Sequence, residues 1–117
     1  MRKFYLGSLA LGVLLSTGCL KDPGDPTLSA SKTTVAVNEE VTFTISGAED
    51  FTCLRWGSTI GYTVVSGGGN SDKTITVKFT SAGSTTMQVA VKNCKKDADP
   101  CSGKCRDAYA ETNVTVQ

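Results

Sequence analysis

The chain contains no histidine in its 117 residues. Without an imidazole, the usual general base near neutral pH and the usual catalytic metal ligand are both missing. Ser/His/Asp and Cys/His nucleophiles are excluded with it. Neither sign of charge dominates: 12 Lys and Arg stand against 11 Asp and Glu. A near-neutral chain has no electrostatic footprint for nucleic acid. The densest basic cluster, Lys92, Lys95, Lys96, Lys104 and Arg106, is interleaved with Asp97, Asp99 and Asp107 and reads as a solvated loop. No window of the sequence has helical spacing of any length. No apolar run reaches the roughly 20 residues of a membrane-spanning helix. The longest, residues 4–15, is interrupted by Gly7, Ser8 and Gly12.

That short run nevertheless has a defined layout. Arg2 and Lys3 precede it, and Ser16, Thr17 and Gly18 follow. A basic start, an apolar centre and small residues at a cleavage point describe an export signal. The small residues stop directly against Cys19. The segment Leu15-Ser16-Thr17-Gly18-Cys19 resembles the lipobox of bacterial lipoproteins, with Ser16 where that family prefers Leu. The resemblance implies cleavage after residue 18, a diacylglycerol on Cys19, and a membrane as the first partner. Residue 20 is Leu, not the Asp that resembles an inner-membrane retention signal. The expected address is therefore the bacterial cell envelope, at the outer membrane in a two-membrane organism. Residues 19–26 hold two of the three prolines and three charges, and are expected to form an extended, mobile spacer. Loss of residues 1–18 leaves ten basic against eleven acidic side chains.

Residues 27–117 then form one small domain. Its hydrophobic period is two almost throughout. Val41, Phe43 and Ile45 alternate with threonine and serine, as do Ile75, Val77 and Phe79 with Thr74, Thr76 and Lys78. Val35 and Val37, Leu54 and Trp56, Met87 to Val91, and Val114 and Val116 repeat the pattern. Half-buried strands follow, with the threonines on the wet face. Glycines fall between these runs, where turns need them. About seven short strands separated by turns describe a β-sandwich.

Apart from Cys19 there are four cysteines: Cys53, Cys94, Cys101 and Cys105. An even number in a short exported chain reads as two disulfides, with three connectivities open. Zinc is disfavoured because no CxxC knuckle and no histidine is present.

The opening Leu28-Ser29-Ala30-Ser31-Lys32-Thr33-Thr34-Val35-Ala36-Val37-Asn38-Glu39-Glu40-Val41-Thr42-Phe43-Thr44 resembles bacterial immunoglobulin-like domains of the PKD type. So does Gly83-Ser84-Thr85-Thr86-Met87-Gln88-Val89-Ala90-Val91-Lys92-Asn93, which matches that family's strand F. Two departures stand out. Thr85 occupies the family's tyrosine position, and the turn after strand C reads Trp56-Gly57-Ser58-Thr59-Ile60-Gly61. The resemblance implies an all-β, immunoglobulin-like antiparallel sandwich with Trp56 in its core. It also puts all four cysteines at one pole, at the start of strand C, the end of strand F and the F–G connection. Cys53 and Cys94 should face away from the core, being out of phase with Leu54, Trp56, Val89 and Val91. The favoured pairing is Cys53 with Cys94 and Cys101 with Cys105. The alternative, Cys53–Cys101 with Cys94–Cys105, staples the F–G hairpin.

Sites for chemistry are few. Glu39-Glu40 and Glu49-Asp50 are adjacent carboxylates whose side chains point apart in strands and turns. Asp97-Ala98-Asp99 has oxygen ligands suited to calcium, but it sits among lysines and reads as a polar loop. Gly67-Gly68-Gly69 is a hairpin loop, since no helix follows to cradle phosphate. Arg55, Tyr62, Arg106 and Tyr109 are residue types enriched at binding hot spots. The expected function is a non-catalytic binding or structural module without a cofactor or metal. It would present its stapled pole to an envelope protein or glycan. A small stapled inhibitor or a carboxylate-dependent enzyme is the alternative.

Overall fold

The computed structural model describes residues 20–95 and 100–117. The leader, Cys19 and the Lys96, Asp97 and Asp99 loop positions lie outside the described residues. Eight strands follow in chain order: β1 (Gly24–Ala30), β2 (Thr34–Val35), β3 (Glu40–Ala48), β4 (Cys53–Ser58), β5 (Tyr62–Gly67), β6 (Thr74–Phe79), β7 (Gly83–Cys94) and β8 (Cys105–Val116). They form two four-stranded sheets, ordered β1-β3-β6-β5 and β2-β8-β7-β4. All pairings are antiparallel except β2 with β8, which is parallel. This is the expected immunoglobulin-like sandwich.

Alternation sets which side chains meet between the sheets. Val41, Phe43 and Ile45 of β3 and Ile75, Val77 and Phe79 of β6 face Met87, Val89 and Val91 of β7 and Val114 and Val116 of β8. The Phe43 and Phe79 rings meet edge-on at 6.3 Å, a favoured aromatic geometry. The apolar interior divides unevenly along the strands. A larger cluster around Phe43, Phe79 and Met87 fills one end, and a smaller one around Ile45, Leu54 and Val91 fills the cysteine end. Both disulfides reinforce the end with the smaller apolar cluster.

The N-terminal stretch departs from its expected role. β1 begins at Gly24, not Thr27, and Pro23 is fully buried. Residues 20–26 are therefore docked against the sandwich instead of forming a mobile spacer. Gly24 and Gly47 make this close approach feasible, both at positive φ (96° and 78°). A Cβ at Gly24 would lie 2.6 Å from the Gly47 carbonyl oxygen, and one at Gly47 would lie 2.5 Å from that of Asp25.

β5 is an edge strand that hydrophobic alternation does not reveal. A register shift between Val64 and Ser66 leaves Val65 as the extra residue of a bulge, and both Val64 and Val65 are exposed at this sheet edge, so period two is broken where it would be read. The glycine run after β5 connects it to β6 as a hairpin, with the Gly69 N–H donating to the Asp72 carboxylate at 2.8 Å.

Candidate recognition face and stapled pole

The outer face of the β2-β8-β7-β4 sheet is set by the β7–β8 and β4–β7 registers. Arg55 lies opposite Ala90, and Ala90 lies opposite Tyr109. Arg55 and Tyr109 therefore flank one small side chain, two strand spacings or about 10 Å apart. One register row toward the pole, Lys92 and Asp107 stand opposite each other and form an ion pair at 3.2 Å. Cross-strand opposite charges of this kind stabilise the ladder modestly. On the other side, Gly57, Ser58, Thr59, Thr86, Gln88 and Glu111 line a shallow depression of about 380 Å³. Its floor is open because Gly57 has no side chain and no atom stands within 4 Å of where a Cβ would be.

The four residues singled out from sequence separate into three places. Arg55 and Tyr109 share the outer face. Tyr62 lies in the other sheet, half-buried, with its ring edge-on to Phe79 at 6.4 Å. Arg106 lies at the pole and holds the N-terminal segment, donating to the Leu20 carbonyl at 3.4 Å and the Asp22 carboxylate at 3.5 Å. Tyr62 supports the core and Arg106 the N-terminal dock, so neither belongs to the Arg55–Tyr109 face.

All four cysteines gather at one pole, but the favoured pairing is replaced by the alternative. Cys94 is directly opposite Cys105 in the β7–β8 ladder and bonded to it, with Cα atoms 3.9 Å apart. Cys53 is opposite Lys92, two residues short of Cys94, and is bonded instead to Cys101. Register decides this pairing. With all four thiols in bridges, none is left as a zinc thiolate. The expected outward phase of Cys53 and Cys94 holds, yet both are buried, with Pro100 and Cys101 held against that part of the face by the Cys53–Cys101 bridge and Thr52. Thr52 fixes the fold-back: its hydroxyl donates to the Pro100 carbonyl at 2.7 Å and accepts the Cys94 N–H at 2.9 Å. No motif in the sequence singles out Thr52.

Trp56 is half-buried at the edge strand and packs against both apolar clusters. Its indole N–H is buried without an acceptor among the described residues. Thr85 is 3% exposed and replaces the absent tyrosine by a different device. Its hydroxyl meets Ser58 Oγ at 2.8 Å and Thr59 Oγ1 at 3.0 Å. The Thr86 N–H donates to Thr59 Oγ1 at 3.1 Å, so this hydroxyl cluster ties the end of β4 to β7.

The described carboxylates of the two adjacent pairs do not converge on a reactive centre. Glu39 accepts from the Lys32 ammonium and from the Ala36 N–H, the latter at 2.8 Å. These two partners hold its carboxyl below the ordinary glutamate value of 4.5.

The match to known families follows the same two-sheet frame. The family model of the PKD domain matches residues 26–99. The chain belongs to the PKD domain family. The PKD match ends before β8, the strand that lies between β2 and β7 and carries Tyr109. No curated protein matches the chain, and neither does any solved structure. PKD domains are non-catalytic immunoglobulin-like modules used for binding or structure.

Proposed function

We propose that this protein is a lipoprotein of the bacterial cell envelope, anchored through a lipid on Cys19. Its PKD sandwich is a non-catalytic recognition module for an envelope protein or glycan. Recognition runs through the outer face of the β2-β8-β7-β4 sheet. One observation carries this reading: Arg55 and Tyr109 flank Ala90 on that face, beside a depression lined by hydroxyls, Gln88 and Glu111. Tyr109 is 59% exposed, and Tyr and Arg are both residue types enriched at binding hot spots. The layout of the leader supports the anchor: Arg2 and Lys3, the apolar run over residues 4–15, and Ser16-Thr17-Gly18 set directly against Cys19.

The test is affinity capture with separate bacterial envelope protein and glycan fractions. Arg55→Ala and Tyr109→Ala should each weaken capture roughly tenfold, the effect of about 1.4 kcal/mol. Val64→Ala, on the opposite sheet, should leave it unchanged. Equal capture by all three variants contradicts the assigned face.

A further inference from the structure

We infer that residues 20–23 form a built-in clamp that seats the disulfide-stapled pole directly on a lipid bilayer, so that the sandwich stands upright on it. This rests on Cys19 being the anchor, and it concerns how the anchored domain is held.

The clamp is made at the end of the inner face. Asn93 and Arg106 continue the inward phase of β7 and β8 past the last apolar side chains, and are opposite each other in the ladder. They find acceptors in the incoming chain. Asn93 Nδ2 donates to the Lys21 carbonyl at 2.9 Å, and the Arg106 guanidinium reaches the Leu20 carbonyl and the Asp22 carboxylate. The Asp22 carboxylate also accepts the Gly24 N–H at 3.0 Å. The Glu49 N–H donates to the Pro23 carbonyl at 2.9 Å, and Pro23 itself is buried.

Geometry then fixes the anchor. Consecutive Cα atoms are about 3.8 Å apart, so a lipid on Cys19 is one residue from a carbonyl held by Arg106. A free spacer over residues 20–26 would instead reach up to about 25 Å. The surface brought to the headgroups carries exposed Lys21, Lys95 and Lys104 together with Glu49 and Asp50. Such mixed charge is no polybasic patch for anionic lipid, so the seating is set by the short tether and is expected on zwitterionic phosphatidylcholine as well. The Arg55–Tyr109 face then stands along the membrane normal, open from the side. The turn around Asn38 and the end of β8 point away from the bilayer.

The experiment uses the full chain expressed in bacteria, recovered from membranes and placed in phosphatidylcholine vesicles that contain nitroxide-labelled lipid. Mass analysis first reads the modification on Cys19. Backbone amide line broadening then reports proximity to the lipid. Lys95, Lys104 and Glu49 should be broadened several-fold more than Asn38, Ser81 and Gln117. The Asn93→Ala/Arg106→Ala double variant should flatten this gradient. A Gly-Ser insertion of about ten residues between Cys19 and Leu20, with a reach of roughly 17 Å, should flatten it without touching the clamp. Even broadening in the lipidated wild-type chain, or a gradient unchanged in both variants, overturns the clamp. An unmodified Cys19 overturns the anchor itself.

Discussion

Cys53 is bonded to Cys101 across a sequence separation of 48, while the ladder neighbour that strand order offers it, Lys92, carries no thiol. The consequence is a division of labour between the two bridges. Cys94–Cys105 locks a pair that the β7–β8 ladder already holds opposite, at a separation of 11. Cys53–Cys101 instead ties Cys101, which lies outside any ladder, to the start of β4. Both act at the end with the smaller apolar cluster.

The two bridges should therefore differ in effect. Chain entropy gives about 4 kcal/mol for the longer loop and about 3 kcal/mol for the shorter. Thermal melts of Cys53→Ser/Cys101→Ser and Cys94→Ser/Cys105→Ser should show the larger drop in Tm for the first. Each kcal/mol corresponds to about 4–8 °C in a domain of this size. An inverted order, or a melt unchanged by either pair of substitutions, contradicts the assigned roles.

Thr85 should be sensitive to loss of its hydroxyl alone. Thr85→Val keeps the shape and removes both contacts with Ser58 and Thr59. The expected cost is about 1 kcal/mol. Denaturant unfolding should show a lower midpoint with an unchanged slope. Hydrogen exchange at the Thr86 N–H, which donates to Thr59 Oγ1, should rise as the cluster loosens.

The turn from Ala36 to Glu39 should respond to acid. Asn38 sits at φ 69°, and the Glu39 N–H returns to the Ala36 carbonyl at 3.1 Å. Glu39 is held below 4.5 by the Lys32 ammonium first and the Ala36 N–H second. A carboxylate with a lowered folded value stabilises the turn fully above its unfolded value and ceases to do so as pH falls through the lower folded one. The contribution is therefore present at neutral pH and lost below about 4.5. A carboxyl-detected NMR titration should place Glu39 below 4.5, and Lys32→Ala should move it upward. No movement in that variant contradicts the assigned cause.

Much of this fold is legible in the order of valines and threonines. The alternating runs fall in β2, β3, β4, β6, β7 and β8, and they point the expected side chains inward. β5 escapes because its bulge at Val65 breaks the alternation and its edge position leaves Val64 and Val65 exposed. β1 escapes because Asp25, Pro26 and two glycine-dependent close approaches look like spacer composition. Physical pairing across strands, not composition, made the strand.

The candidate site was less legible. Parity alone puts Cys53 outside the core, but choosing its partner needs the one-residue register of β4 on β7. Arg55 and Tyr109 lie 54 residues apart in sequence and share a face only through Ala90. Arg106 had the right chemistry for binding and is spent on the protein's own backbone. Thr52 gave no signal, because its importance comes from the Pro100 carbonyl and Cys94 N–H that the fold brings to it.

The central claim is that this PKD domain acts from a lipid anchor at Cys19. Mass analysis of the N-terminal peptide of protein extracted from bacterial membranes tests it most directly. The account predicts a chain beginning at Cys19 with a diacylglycerol thioether, and release into the soluble fraction on Cys19→Ser with unchanged melting of the sandwich. A mature chain that retains an unmodified Cys19, or one that begins beyond it, would contradict the account.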